Sequence, residues 1–225
     1  MARRVRRPRA AFAFAIAFLP SAEPLLVDGR RDAGEWRLAA AERPVAGEVL
    51  VRREPGAVWI LVRSDVEMPV HLYRVEAGTL TVLHASASLG AAVYRPAADG
   101  GLELASPFDW RLRDPRLRET PTLDLGGEQR QFLAHERWVA STTWLGEPGV
   151  VEIRLDRAWL EAPGVRWAVT YFAGGDEARH LVHYPPGSGL ADPEVERQLM
   201  IGDCPRRVVL GTGNWKSSPD DSPQP

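Results

Sequence analysis

Histidines, tryptophans and a short acidic cluster are the residues of this chain whose types and spacing could do chemistry. His180 and His183 resemble a metal-ligand pair, yet an odd separation on an extended chain puts them on opposite faces, where one ion cannot reach both. His84 shares a strand face with Ser86, and a base beside a hydroxyl is the beginning of a nucleophile. Ser86 has no nucleophile elbow around it, so a hydrogen-bonded sheet pair is expected instead. His71 and His135 show no partner in the sequence. No residue is expected to be catalytic, and the chain carries no glycine-rich phosphate loop and no cysteine cluster. Cys204 is the sole cysteine, so no intrachain disulfide is available, and with no base beside it a small packed residue is expected.

The acidic cluster is Asp28, Asp32 and Glu35. These carboxylates are close enough in sequence to hold a structural Ca²⁺, with Asp28 and Asp32 as the ligands. Turn and cap roles account for them equally well. Asp28-Gly29 is a turn dipeptide, and Asp32 with Glu35 three residues on has capping-box spacing. Either way the stretch Leu25 to Trp36 reads as a lid that delivers Trp36 to the interior.

Tryptophan is the other signal, with eight in the chain. Trp36, Trp59, Trp138, Trp159 and Trp167 fall in apolar registers and are expected in the core. Trp110 stands in a polar stretch between Asp109 and Arg111, and Trp144 ends a strand beside a turn. An exposed indole backed by charged groups suits a sugar, whose apolar face stacks on the ring while its hydroxyls take polar partners. Trp110, Arg111 and Trp144 are therefore candidate ligand-binding residues.

The elements that must position these residues are short strands. Glu48 to Arg52 alternates, and Glu54-Pro55-Gly56 turns into Ala57 to Arg63, apolar on both faces as a covered central strand requires. Pro69 to Val75 returns through Glu76-Ala77-Gly78 into Thr79 to Ser88, where Gly90 is expected to break the run before Ala91 to Tyr94. Arg95 to Arg130 reads as a long connection. Strand pattern resumes at Gln131 to Ala134, at Arg137 to Trp144 and at Val150 to Leu155, with Val151, Ile153 and Leu155 inward and Glu152 and Arg154 outward. Asp156 caps a helical turn through Trp159 and Leu160. Arg166 to Phe172, His180 to Tyr184 and Arg207 to Leu210 complete the set. Some ten to twelve strands with one or two short helical turns make an all-β, two-sheet antiparallel sandwich of jelly-roll type.

Composition bounds the partners. The 225 residues, 44% of them hydrophobic, suffice for one large domain. Residues 1–22 join a basic head, an apolar run from Ala10 to Leu19 and small residues, the pattern of a secretory signal peptide. The expected domain is 23–212, with an unpacked polar tail at 213–225 and a periplasmic or secreted location. Removing 1–22 takes away five arginines and no acid, so the formal net charge moves from −2 to −7. An acidic protein lacks the basic face that nucleic acid binding needs, and contact with a membrane is expected only through targeting.

The order Val27-Asp-Gly-Arg-Arg-Asp-Ala-Gly-Glu-Trp36, Val58-Trp-Ile-Leu-Val-Arg63, Trp138-Val-Ala140, Glu152-Ile-Arg-Leu-Asp156, Arg166-Trp-Ala168, Tyr184-Pro185 and Ile201-Gly202 resembles the family 9 carbohydrate-binding modules and their DOMON-like relatives. The resemblance runs from about Leu25 to Leu210 and implies a sandwich that binds sugar or glycan without changing it, often with structural Ca²⁺. It places Tyr184 as a ligand-binding residue and departs from the family at Ser64 to Pro69, where no tryptophan stands. A carbohydrate or glycan is the expected partner. The alternative is an envelope structural or protein-interaction domain on the same fold.

Overall fold

The structure is a computed structural model and describes residues 27–31, 34, 36–37, 39–42, 46–67, 69–112, 136–141, 147–174 and 179–217. Two antiparallel sheets are stacked, as the alternating sequence requires. The first runs in the order β1 (Ala40–Glu42), β2 (Glu48–Arg53), β3 (Ala57–Arg63), β10 (Val150–Asp156), β9 (Trp138–Ala140). The second runs β12 (His180–Tyr184), β11 (Arg166–Ala173), β4 (Val70–Glu76), β5 (Thr79–Ala85), β6 (Ser88–Pro96), β7 (Leu102–Ser106), β13 (Arg207–Val208). Two short strands join it from the side: β8 (Arg111–Leu112) pairs with β6, and β14 (Lys216–Ser217) pairs with β11. Helix α1 (Arg157–Leu160) follows β10, and α2 (Pro193–Met200) follows β12.

Local chemistry sets the registers. Ala77 and Gly78 both take positive φ, the two-residue turn whose twist matches a hairpin, so Glu76 pairs with Thr79 and β4 with β5 throughout. Glu54 and Ala57 exchange backbone hydrogen bonds around Pro55-Gly56 and close β2 onto β3. Asp156 caps α1 by accepting from the Trp159 amide, the cap that its sequence position predicts.

Side chains of Val49, Val51, Val58, Ile60, Val62, Val151, Ile153 and Leu155 occupy one face of the first sheet and meet Val70, Leu72, Leu83, Leu89, Trp167, Val169 and Tyr171 of the second in one buried cluster. Each large side chain fully buried there contributes about 1.5–3 kcal/mol. Both outer faces are also covered. Val27 and Trp36 lie on the outside of the first sheet. Helix α2, the segment around Phe108 and the chain near Leu190 and Val208 cover the second, over a cluster that includes Tyr73, Val82, Tyr94 and Ala168.

The covered outer faces correct several sequence expectations. Glu152 does lie on the outer face, but the lid closes over it and it is 1% exposed. Gly90 does not end a strand; it lies within β6, where a Cβ would stand 2.9 Å from the ring of Trp110. The expected connection from Arg95 contains β7 and β8. The tail does not begin at 213, since Trp215 packs on the second cluster and Lys216–Ser217 extends the sheet. Helix α2 was not expected, although Asp192 before Pro193 and Glu194 is a cap, first-turn proline and acid in the right order. The segment Gln131 to Ala134 lies outside the described residues, as do residues 1–22.

Candidate functional site

Trp110 is the one large aromatic side chain that stands substantially in solvent among the described residues, at 44%. It leads into β8, which binds the chain to β6 through the pairs Ser88 with Leu112 and Leu89 with Arg111. The indole rests where two glycines leave room: a Cβ on Gly90 would approach it to 2.9 Å, and one on Gly202 to 3.2 Å. His84 meets the ring edge-on at 4.9 Å, and Phe108 lies beside it at 4.7 Å. These contacts fix the ring's pitch while leaving much of its surface open. Asp203, one residue after Gly202, is exposed at the same corner, as is Ile201 before it.

Beneath Trp110 runs a feature absent from the sequence reading. Strand register aligns Gly90, His84, His71, Thr170 and His183 across β6, β5, β4, β11 and β12 in one row on the outer face of the second sheet. His84 is not paired with Ser86, whose hydroxyl donates to the Ser88 carbonyl. Its partner is His71, with Nε2 of His71 and Nδ1 of His84 2.5 Å apart, one donating and the other accepting. Both rings are buried. Burial lowers the pKa of His84 to about 4, and burial together with the charge of His84 puts that of His71 well below the usual histidine range. Both imidazoles are therefore neutral near pH 7.

At the other end of the row, Glu196 of α2 is fully buried. Its Oε1 accepts from the Thr170 hydroxyl at 3.0 Å, and its Oε2 lies 2.9 Å from Nε2 of His183. The Tyr73 hydroxyl is buried in the same layer, and burial with the nearby Glu196 charge raises its pKa well above the usual phenol value. These polar contacts seat α2, and the turn after α2 delivers Gly202 to Trp110. The row is a support for the exposed indole.

The other predicted site residues are not assembled around Trp110. Tyr184 is buried at 4%, leaning on Trp167 with ring centroids 6.1 Å apart, and the Lys216 ammonium lies 5.1 Å from its ring. Its ring is not an open stacking surface. Arg111 has its backbone in β8, while its side chain lies outside the described residues, as do Trp144, His135, Asp32 and Glu35. Asp28 accepts from the Arg30 amide, the turn role open to it in the sequence. Among the described residues no three His, Cys, Asp or Glu side chains gather around one point as a metal site requires. His180 and His183 do separate to opposite faces, because His183 is opposite Thr170 and His180 opposite Ala173.

A cleft of about 470 Å³ opens elsewhere, lined by Gly47, Glu48, Arg63, Ser64 and Asp65 at the end of the first sheet. Ser64 donates to the Phe172 carbonyl and Asp65 accepts from the Gly174 amide, which ties that end to the second sheet. Its lining residues are polar or charged apart from Gly47, and none of them is aromatic.

No family model, no curated protein and no solved structure matches this chain. The molecule is thus defined by its architecture, an all-β sandwich with both outer faces covered and, among the described residues, one indole presented to solvent.

Proposed function

We propose that this is an exported, non-catalytic binding module that takes a sugar or glycan on Trp110. One observation carries the reading: an indole at 44% exposure is held in place by Gly90, Gly202, His84 and Phe108. Leaving a ring that size in water forgoes burial energy, and pre-setting its orientation lowers the ordering cost of stacking a ligand on it. Asp203 stands within one residue of the ring's glycine support, a rim acceptor for hydroxyl donors. A sugar whose apolar face lies on the indole is a ligand of matching chemistry. His84, His71 and Glu196 serve in this reading as supports and not as acids or bases. Histidines held neutral by burial and a carboxylate enclosed by Thr170 and His183 have no opening to a substrate.

The test is a glycan array followed by titration of neutral mono- and oligosaccharides against isotope-labelled protein, observing the Trp110 indole N–H. Binding that shifts this resonance and is abolished by Trp110→Ala supports the proposal. Absence of binding at millimolar sugar, or binding unchanged by the substitution, overturns it.

A further inference from the structure

Arg63 ends β3 with its side chain in solvent and lines the cleft of about 470 Å³. Two carboxylates line the same cleft, and neither pairs with it. Glu48 stands directly opposite Arg63 in the register of β2 and β3, yet Arg31 holds it, with Nε 3.0 Å from Oε2 and Nη2 3.2 Å from Oε1. Asp65 is two residues along the chain, yet its Oδ1 is committed to the second sheet, where it accepts from the Gly174 amide at 3.0 Å. On the other side of Arg63 the register places uncharged Val150. Among the described residues the Arg63 guanidinium therefore has no carboxylate partner.

The frame around these charges is fixed from both sheets. The Ser64 hydroxyl donates to the Phe172 carbonyl at 2.8 Å and the Tyr171 hydroxyl to the Ala46 carbonyl at 2.6 Å, so the chain on either side of the cleft is pinned to β11. Gly47 lines the cleft without a side chain, at a φ of +83° that glycine adopts freely. A cleft of this volume accepts a small molecule. The planar fork of an arginine takes a carboxylate through two parallel N–H bonds, and a fixed frame lowers the ordering cost of doing so.

We propose that this cleft is a second binding site, for a small zwitterion of the α-amino acid class, in which Arg63 takes the ligand's carboxylate and Asp65 its ammonium. The charges match such a ligand in sign and number. Arg31 and Glu48 neutralise each other, which leaves one cation and one anion on the cleft wall. The Gly174 amide holds the Asp65 carboxyl below the usual carboxylate range, so Asp65 is ionised near pH 7. A ligand with a carboxylate alone would face Asp65 unfavourably, and one with an ammonium alone would face Arg63. The site owes nothing to Trp110, which leads into β8 on the other sheet.

The experiment is a titration of the full chain at fixed ionic strength, following the Arg63 Nε–H and the Gly174 amide by NMR. The probes are a panel of the common L-α-amino acids up to about 10 mM, with acetate and methylammonium as controls that carry one charge each. The expected result is saturable shifts at both resonances with an amino acid and far weaker ones with either control. Affinity is expected to fall at least about tenfold in Arg63→Gln and in Asp65→Asn, the loss of one charge-assisted contact, and to be unchanged in Trp110→Ala. Asparagine keeps an oxygen for the Gly174 amide, so this variant removes the charge and retains the tie. The Val169 amide of the core reports that each variant is folded. Absence of shifts with every amino acid overturns the proposal, as does acetate binding as strongly as the amino acids or affinity that survives either cleft substitution. Loss of binding in Trp110→Ala overturns it as well, whereas failure of Trp110 to bind sugar leaves this site untouched.

Discussion

Replacing His84 by Gln isolates what the buried histidine pair does to stability. Glutamine keeps a polar partner for His71 but cannot take up a proton. In the native protein His84 has its pKa lowered from 6.5 to about 4, entirely by burial. Where a folded-state pKa is depressed, the unfolded chain binds the proton first, so stability is complete above 6.5 and declines as pH falls towards 4. At about 1.4 kcal/mol per pH unit, this side chain alone accounts for about 3 kcal/mol of acid sensitivity. Urea unfolding at a series of pH values reads it as the difference between the slopes of the two proteins, because the surface carboxylates are common to both. The variant is expected to lose about 3 kcal/mol less than the native protein between about pH 7 and about pH 4. His71 acts in the same direction, and the part of its lowering that comes from His84 is lost with the substitution, so the difference between the slopes reads the pair and not His84 alone. Parallel slopes would show that His84 is hydrated in the folded state and that the row beneath Trp110 is not sealed.

Gly90→Ala is a steric probe that leaves backbone conformation alone, since this glycine has no positive φ; its Cβ would press on the Trp110 ring at 2.9 Å. Overpacking of this kind costs about 1–3 kcal/mol, seen in thermal unfolding, and sugar binding is expected to weaken together with a shifted Trp110 indole resonance. Glu196→Ala leaves Thr170 and His183 facing a cavity under α2, and a loss of about 3 kcal/mol or more in urea unfolding is expected, with increased exchange along Val195 to Met200. Gly149→Ala meets both a φ of +73° and a clash with the Ser64 carbonyl, so it is expected to destabilise by more than about 1 kcal/mol, a change that circular dichroism melting resolves.

How much of this was legible in the sequence follows from the range of the interactions. The hairpin at Ala77-Gly78, the cap at Asp156 and the strands from Glu48 to Arg63 and from Val150 to Leu155 depend on neighbours a few residues apart, and the chain spells those out. Trp110 was recognisable too, because an indole among Asp109 and Arg111 has no apolar register to join. The burial of Trp36 was readable from the lid pattern around it, but the ring is buried against the outer face of the first sheet and not between the sheets.

The parts that escaped are those in which a second layer changes the meaning of a face. Alternation in β10 says correctly that Glu152 lies opposite Val151 and Ile153, but whether that side is wet depends on a segment 116 residues away, tied on by Trp36. The histidine row has the same origin. His71 and His84 meet because the hairpin register sets them side by side, and His183 joins through Thr170 only after β11 has placed β12 at the sheet edge. Period-two patterning reports which side a residue is on and carries no information about what closes over that side. In this chain the closures are the N-terminal segment and α2, and each is fastened by a buried carboxylate, Glu152 in one case and Glu196 in the other. The carboxylate sits on the strand beneath the cover in the first case, at Glu152 of β10, and on the cover itself in the second, at Glu196 of α2, so no single sequence position marks a covered outer face. Substituting either carboxylate should loosen its own cover while leaving the cluster between the sheets intact.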